Sequence, residues 1–332
     1  MAEIAILGAG SWGTALAILL ARKGHAVRLW ARRSEHAEEM NHSRLNARYL
    51  PGYELPAGLV VTSKMAEALA DGKMVVCAVP SSYCRETLER ASTHFKPDSC
   101  YVSATKGIEV GTLKRISEIL REVLGQQAKI VVLSGPSFAV ESLQGHPTAV
   151  VASSEDVSAA ERVQNIFSSS RFRVYTNSDV VGTEIGGAVK NVIAIASGVV
   201  TGLGFGSNTI AGLITRGLAE ICRLGASMGG RRETLGGLAG LGDLVLTCTG
   251  PLSRNRAAGI QLAQGFTIQQ VQQATPMSIE GIPTTRATLE LGRQYGVEMP
   301  ITEQMYRVLY DGKAPQAAIS DLMERRLREE FW

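Results

Sequence analysis

Paired cysteines are missing from this chain of 332 residues. Its five, Cys77, Cys84, Cys100, Cys222 and Cys248, are scattered. They have neither the short paired spacing that holds zinc nor the framework of a small secreted domain. They read as buried or free thiols of a reducing cytoplasm, and no metal site is expected. Net charge is nearly absent too, because 34 Lys and Arg against 31 Asp and Glu leave +3. That balance argues against a nucleic-acid binder held by bulk electrostatics, so the basic residues act locally. No apolar run reaches the ~20 residues of a membrane span, since Gly202, Gly204, Gly206 and Asn208 interrupt the longest one. The chain opens on a strand pattern, so no signal peptide and no membrane insertion are expected. No internal repeat is visible. The length exceeds the ~250–300 residues at which single cores stop growing, and two domains are expected.

The first half alternates strand and helix. Glu3 to Leu7 is a short apolar strand, followed at once by Gly8-Ala9-Gly10-Ser11-Trp12-Gly13 and an apolar-periodic helix running to Gly24. Glycines at these positions allow a tight turn and let backbone amides reach a pyrophosphate at a helix N-terminus. The strand before and the helix after supply the context that the bare fingerprint lacks. The second strand, Ala26 to Trp30, leads to Arg32 and Arg33 where an NAD-selective fold carries a carboxylate. Guanidinium forks suit a ribose 2′-phosphate, which points to NADPH as well as NADH. Further β-branched runs at Leu59 to Thr62, Met74 to Val79, Tyr101 to Thr105, Lys129 to Leu133, Thr148 to Ala152 and Phe172 to Tyr175 complete a doubly wound, Rossmann-type α/β sheet. Strand ends at Val79 to Ser82, Lys106 to Glu109 and Ser134 to Ala139 form one side of a crevice.

After Ser178 the pattern turns helical, which sets the expected domains at 1–178, dinucleotide-binding, and 179–332, all-α and substrate-binding. Helices are expected at Val180 to Gly198, Ile210 to Gly225, Arg254 to Gln264, Thr284 to Tyr295, Ile301 to Tyr310 and Pro315 to Leu327, with Met323 to Trp332 a solvated end. In the first of these, Lys190 is the one basic residue, and no charged side chain follows it until Arg216. A helix apolar on nearly every face is buried, and burial disfavours an ammonium. Lys190 is therefore paired, used, or snorkelling to the surface. One turn earlier, Gly186 and Gly187 leave room for a small ligand to reach the amine. Asp243 stands in an apolar, glycine-rich surround and also needs a partner. Ser253 reads as an N-cap, which puts Arg254 and Asn255 in a first helical turn.

These residues carry a resemblance. GAGSWGTA, AVPS, ATKGIE, SGPSFA, EIGGAVKNVIAIASG, GLAGLGDLVLTCTG, SRNR and SIEG occur in this order over nearly the whole chain. They resemble the bacterial NAD(P)-dependent glycerol-3-phosphate dehydrogenase family, which reduces dihydroxyacetone phosphate to sn-glycerol 3-phosphate for phospholipid synthesis. The resemblance implies that Lys190 gives and takes the proton, with Lys106 and Asp243 beside it. It implies substrate contacts at Gly135 and Ser137 and at Ser253, Arg254 and Asn255 around the phosphate. Cofactor contacts are implied at Ser11, Trp12, Arg32, Arg33, Lys106, Ala139, Arg254 and Glu280, next to Gly8, Gly10 and Gly13. The partner is then a phosphorylated small molecule, and a homodimer is compatible with the chain. Two alternatives stay open: a related β-hydroxyacid or 6-phosphogluconate type dehydrogenase, and a redox-sensing regulator that binds dinucleotide without turnover.

Overall fold

The computed structural model describes residues 2–330. Eight strands form one sheet: β1 (Glu3–Leu7), β2 (Ala26–Trp30), β5 (Leu59–Thr62), β6 (Met74–Cys77), β7 (Cys100–Ser103), β8 (Lys129–Ser134), β9 (Thr148–Ser153) and β10 (Phe172–Asn177). A separate hairpin, β3 (Leu45–Asn46) with β4 (Leu50–Glu54), was not expected. The strand order β10-β9-β8-β7-β6-β1-β2-β5 places the topological switch between β1 and β6. All neighbours pair in parallel except β8 and β9, so β9 and β10 run against the rest. Alternate residues of β1 enter different cores. Ile4 and Ile6 join one cluster and Ala5 and Leu7 the other, as a strand with helices on both faces requires.

Beyond Asn177 every regular element among the described residues is helical. The helix Val180–Gly202 is its axis, with nearly all of its 23 residues buried. It runs four residues past the expected end. It is long and apolar enough to cross a membrane, yet 89% of its apolar stretch lies inside the protein, so it is a core helix. Ile185, Val189, Val192 and Ile193 centre a third hydrophobic cluster. Ile108, from the loop after β7, belongs to that same cluster. Asp179 caps this helix by accepting the Gly182 N–H at 2.8 Å. The helices Ser207–Ser227, Arg254–Ala263, Gly281–Gln294 and Pro300–Tyr310 follow, close to their expected spans. Short helices at Arg232–Leu235 and Ile268–Gln273 lack a full periodic repeat and were not expected. The last helix stops at Met323, not Leu327, and its exposed charged continuation is non-helical to Glu330. Phe331 and Trp332 lie outside the described residues.

Candidate active site

The Gly8–Gly13 turn shows why two of its three glycines are there. Gly8 has φ +113°, and a Cβ on it would sit 2.8 Å from the Ala78 carbonyl oxygen on the neighbouring strand end. A Cβ on Gly13 would lie 2.0 Å from the Gly8 oxygen, so the helix closes onto the strand only through glycine. Gly10 differs, because a Cβ there meets nothing within 4 Å. No protein atom demands that glycine, and it opens onto a cleft of about 430 Å³. The helix Ser11–Arg22 starts at Gly10 with no side-chain cap, leaving first-turn N–H groups for an anion. Trp12 Nε1 is buried without a protein partner. An open glycine, an uncapped helix end and an orphaned donor fit a dinucleotide. Asn46 braces the turn, donating to the Ala9 carbonyl at 3.0 Å and to Thr14 Oγ1 at 2.8 Å.

Arg32 and Arg33 are exposed at the end of β2 and line the cleft, and the Arg32 guanidinium lies 5.4 Å from the Tyr83 ring centroid. His36 and Tyr49 share that wall.

At the other end of the cleft Lys190 neither snorkels nor stands alone. Its Nζ donates to Asp243 Oδ1 at 2.7 Å and to Thr247 Oγ1 at 2.6 Å. Lys106 donates to the other carboxylate oxygen, Asp243 Oδ2, at 2.6 Å and to the Gly135 carbonyl at 2.9 Å. One buried carboxylate therefore serves two ammonium groups. Burial is the larger influence on Lys190, with Lys106 acting the same way; Asp243 opposes both, and the amine settles from its ordinary 10.5 to about 8. Burial alone would raise the Asp243 carboxyl, but Lys106 and Lys190 overcome it and hold it below its usual value. Asp243 opens the helix Asp243–Thr249, entered through a π-helical turn, Leu238–Gly242, whose Gly242 N–H reaches the Gly237 carbonyl at 3.0 Å. Thr247, one turn on, donates to the Asp243 carbonyl at 2.6 Å while receiving Lys190. It was missed by sequence reading, although its position four residues after Asp243 put it on the same face.

The room expected above Lys190 is filled. A Cβ on Gly186 would lie 2.8 Å from the Ala239 oxygen, and one on Gly187 2.6 Å from Ser134 Oγ. These glycines let the π-turn and β8 pack against the helix, and no ligand approaches through them. Glu184, also on this helix, was not singled out. It accepts from Ser117 N at 2.8 Å, Ser117 Oγ at 2.6 Å and Arg115 Nη1 at 2.8 Å, tying the helix to the sheet half.

Ser253 Oγ caps the helix Arg254–Ala263 by accepting the Arg256 N–H at 3.2 Å. Arg254 lines the cleft and donates to the Ser278 carbonyl at 2.8 Å. Asn255 is more committed than expected: Nδ2 donates to Asn191 Oδ1 at 2.8 Å, and Oδ1 accepts from Gly281 N at 2.9 Å. Among the described residues the second Nδ2 hydrogen has no partner. Glu280 lines the cleft with its carboxyl raised by burial, and Ser81 Oγ donates to it at 2.5 Å. Ser137 lines the cleft and donates to the Gly135 carbonyl at 3.0 Å. Gly13, Gly135 and Ala139 do not line it. The charged groups of the helical half converge only in part: Asp243 touches Lys190, whereas Arg254 faces the same cleft without contacting it.

Comparison with known proteins bears on both halves. Residues 3–160 match the family model for the N-terminus of NAD-dependent glycerol-3-phosphate dehydrogenase, and residues 179–320 match that for its C-terminus. The chain is 52% identical over 333 residues to the glycerol-3-phosphate dehydrogenase (NAD(P)+) of Geobacter sp. (strain M21), covering 99% of each. It is 49% identical to that of Geobacillus thermodenitrificans (strain NG80-2), covering 100% of this chain and 97% of the relative. The solved structure of glycerol-3-phosphate dehydrogenase from Coxiella burnetii has a TM-score of 0.95 at 43% identity, covering 98% of this chain and 99% of that one. A ketopantoate reductase from Ralstonia eutropha JMP134, at 16% identity and TM-score 0.62, shares the fold alone. With both halves matched in register and about half the residues shared with full-length relatives, the chain belongs to the NAD-dependent glycerol-3-phosphate dehydrogenase family.

Proposed function

We propose that Lys190, backed by Asp243 and Lys106, exchanges a proton with the oxygen of a ketone that gains hydride at its carbon. The chain is an NAD(P)-dependent oxidoreductase that interconverts dihydroxyacetone phosphate and sn-glycerol 3-phosphate, a head-group precursor for phospholipids. Bound in the cleft, NADH or NADPH supplies the hydride. Residues 1–178 hold the dinucleotide, with the Gly8–Gly13 turn at its pyrophosphate and Arg32 and Arg33 at the 2′-phosphate. Residues 179–332 hold the substrate, whose phosphate meets Ser253, Arg254 and Asn255. Lys190 supplies the charge and the proton that the developing alkoxide needs, a contribution typically worth ~3–4 kcal/mol per donor. Asp243 aims both amines, and Lys106 adds a second cation at the substrate. The reaction belongs in the cytoplasm, where five unpaired thiols stay reduced.

The observation that carries this reading is the 2.7 Å contact from Lys190 to a carboxylate also held by Lys106, in the same cleft as the open Gly10 turn. A spectrophotometric assay of NADH and NADPH oxidation with dihydroxyacetone phosphate, 2-ketopantoate and other keto acids tests it. Turnover confined to a keto acid, or none with any ketone, sinks it.

A further inference from the structure

Glu280 feels the Arg254 charge of its own half of the protein, but its hydrogen-bond donors come from the other half. It immediately precedes the helix Gly281–Gln294 and lines the cleft, where burial raises its carboxyl. A carboxylate in that position needs donors. Oε2 receives the Ser81 hydroxyl at 2.5 Å and the Ser81 N–H at 3.4 Å. Ser81 is 2% exposed and begins the turn Ser81–Tyr83 after β6, so this bond crosses from the sheet half to the helical half. Gly107, after β7, packs against both: a Cβ there would sit 2.5 Å from Ser81 Cβ and 2.9 Å from Glu280 Oε2. Three segments thus converge on one carboxylate oxygen. Among the described residues no donor reaches the other, Oε1.

We infer that Ser81 is a positioning residue for the cofactor, fixing Glu280 so that its free oxygen faces a hydrogen-bond donor of the bound dinucleotide. The inference rests on the proposed reading of the cleft. Chemistry selects which end of the dinucleotide is met. A carboxylate repels the pyrophosphate and the 2′-phosphate, whereas the nicotinamide riboside offers ribose hydroxyls and a carboxamide N–H. The Gly10 turn and the two arginines already mark the phosphate-bearing end, which leaves the nicotinamide end for Glu280. Ser81 acts only through the carboxylate it holds.

The test is a double-mutant cycle read by direct NADPH binding, followed by fluorescence titration without substrate. Ser81→Ala raises the NADPH Kd by about tenfold, the size expected for losing one hydrogen bond to a charged group. It leaves the Kd of 2′,5′-ADP, which lacks the nicotinamide half, within about twofold, a change too small for a lost hydrogen bond. Ser81→Thr, which keeps the hydroxyl, recovers most of the affinity. In a Glu280→Ala background Ser81→Ala has no further effect. If Glu280→Ala does not fold, Glu280→Gln gives the same contrast at reduced size. Multiplying effects of the two substitutions, or equal losses with NADPH and 2′,5′-ADP, overturn the inference. Wild-type protein that binds NADPH tightly but never turns over dihydroxyacetone phosphate overturns the proposed reaction and leaves the Ser81 result standing.

Discussion

Lys190 and Asp243, 53 residues apart in the chain, meet through a 2.7 Å contact between Nζ and Oδ1, and Asp243 Oδ2 receives Lys106 at 2.6 Å. Asp243→Asn removes the negative charge that both ammonium groups share. Breaking a buried pair costs up to about 3–5 kcal/mol, less whatever Lys190 recovers by releasing its proton. Denaturant unfolding should show a loss of this order near neutral pH. Because Asp243 raises the Lys190 value and Lys106 lowers it, the variant's amine moves below about 8 and its high-pH limb of ketone reduction shifts downward. An unchanged limb means that Asp243 does not tune Lys190.

The direction of the pH dependence follows from the same residue. With Lys190 as the proposed proton donor, ketone reduction should need it charged and slow as pH rises through about 8, while alcohol oxidation should need the neutral amine and speed up there. Stability moves with oxidation. The folded value lies below the ordinary 10.5 of the unfolded chain, so between about 8 and 10.5 the unfolded state binds more protons and this group's contribution grows with pH. Initial rates in both directions from pH 6 to 10 (roughly the span around the lysine's folded and unfolded values) check the signs. Lys190→Ala should cut turnover by ~10²–10⁴ with NADPH binding retained. Lys190→Arg should not rescue it, since guanidinium holds its proton.

The glycines separate packing from binding. Gly187→Ala, with its Cβ 2.6 Å from Ser134 Oγ, and Gly186→Ala, 2.8 Å from the Ala239 oxygen, should each lower stability by about 1–3 kcal/mol. Gly10→Ala has open space around it, so its thermal unfolding should change by less than about 1 kcal/mol while the Michaelis constant for NADPH rises. A Gly10→Ala protein with unaltered cofactor affinity removes the pyrophosphate from that turn.

The strands and the larger helices were legible because each is a run long enough to show its period. The paired cores of β1 follow from alternation within five residues. The glycine turn was legible because strand, glycines and helix are contiguous. What local pattern could not carry is pairing across distance: Lys106 and Asp243 lie 137 residues apart, and Ser81 and Glu280 199 apart. The misreading of Gly186 and Gly187 has the same origin. A missing side chain looks alike in sequence whether a ligand or a neighbouring backbone fills the gap. The reversal of β9 also went unseen, since a strand buried on both faces reads the same in either direction.

Arg254 is the last residue whose role can be tested by truncation from both sides. It sits in the first turn of a helix capped by Ser253, where N–H groups and the positive dipole end favour an anion. Its Nη1 is tethered to the Ser278 carbonyl at 2.8 Å, so the guanidinium is held in place before any ligand arrives, and less freedom is lost on binding. Asn255, with its carbonyl and one amide hydrogen already engaged, ties the Arg254–Ala263 helix to Asn191 of the Val180–Gly202 helix and to the start of the Gly281–Gln294 helix. On the proposed reading, the phosphate therefore depends more on Arg254. On that reading the phosphate's binding energy serves to orient the distant carbonyl against Lys190, so removing it should cost turnover as well as affinity. Arg254→Ala should lower kcat/KM for dihydroxyacetone phosphate by ~10²-fold or more, on about 3 kcal/mol for a charged hydrogen bond. The weak reaction with dihydroxyacetone should barely change. Enzyme and substrate truncation then form a cycle whose coupling energy is the arginine–phosphate interaction. If the two losses simply multiply, Arg254 does not touch the phosphate, and its tether to Ser278 is a structural bond of the loop leading to Glu280.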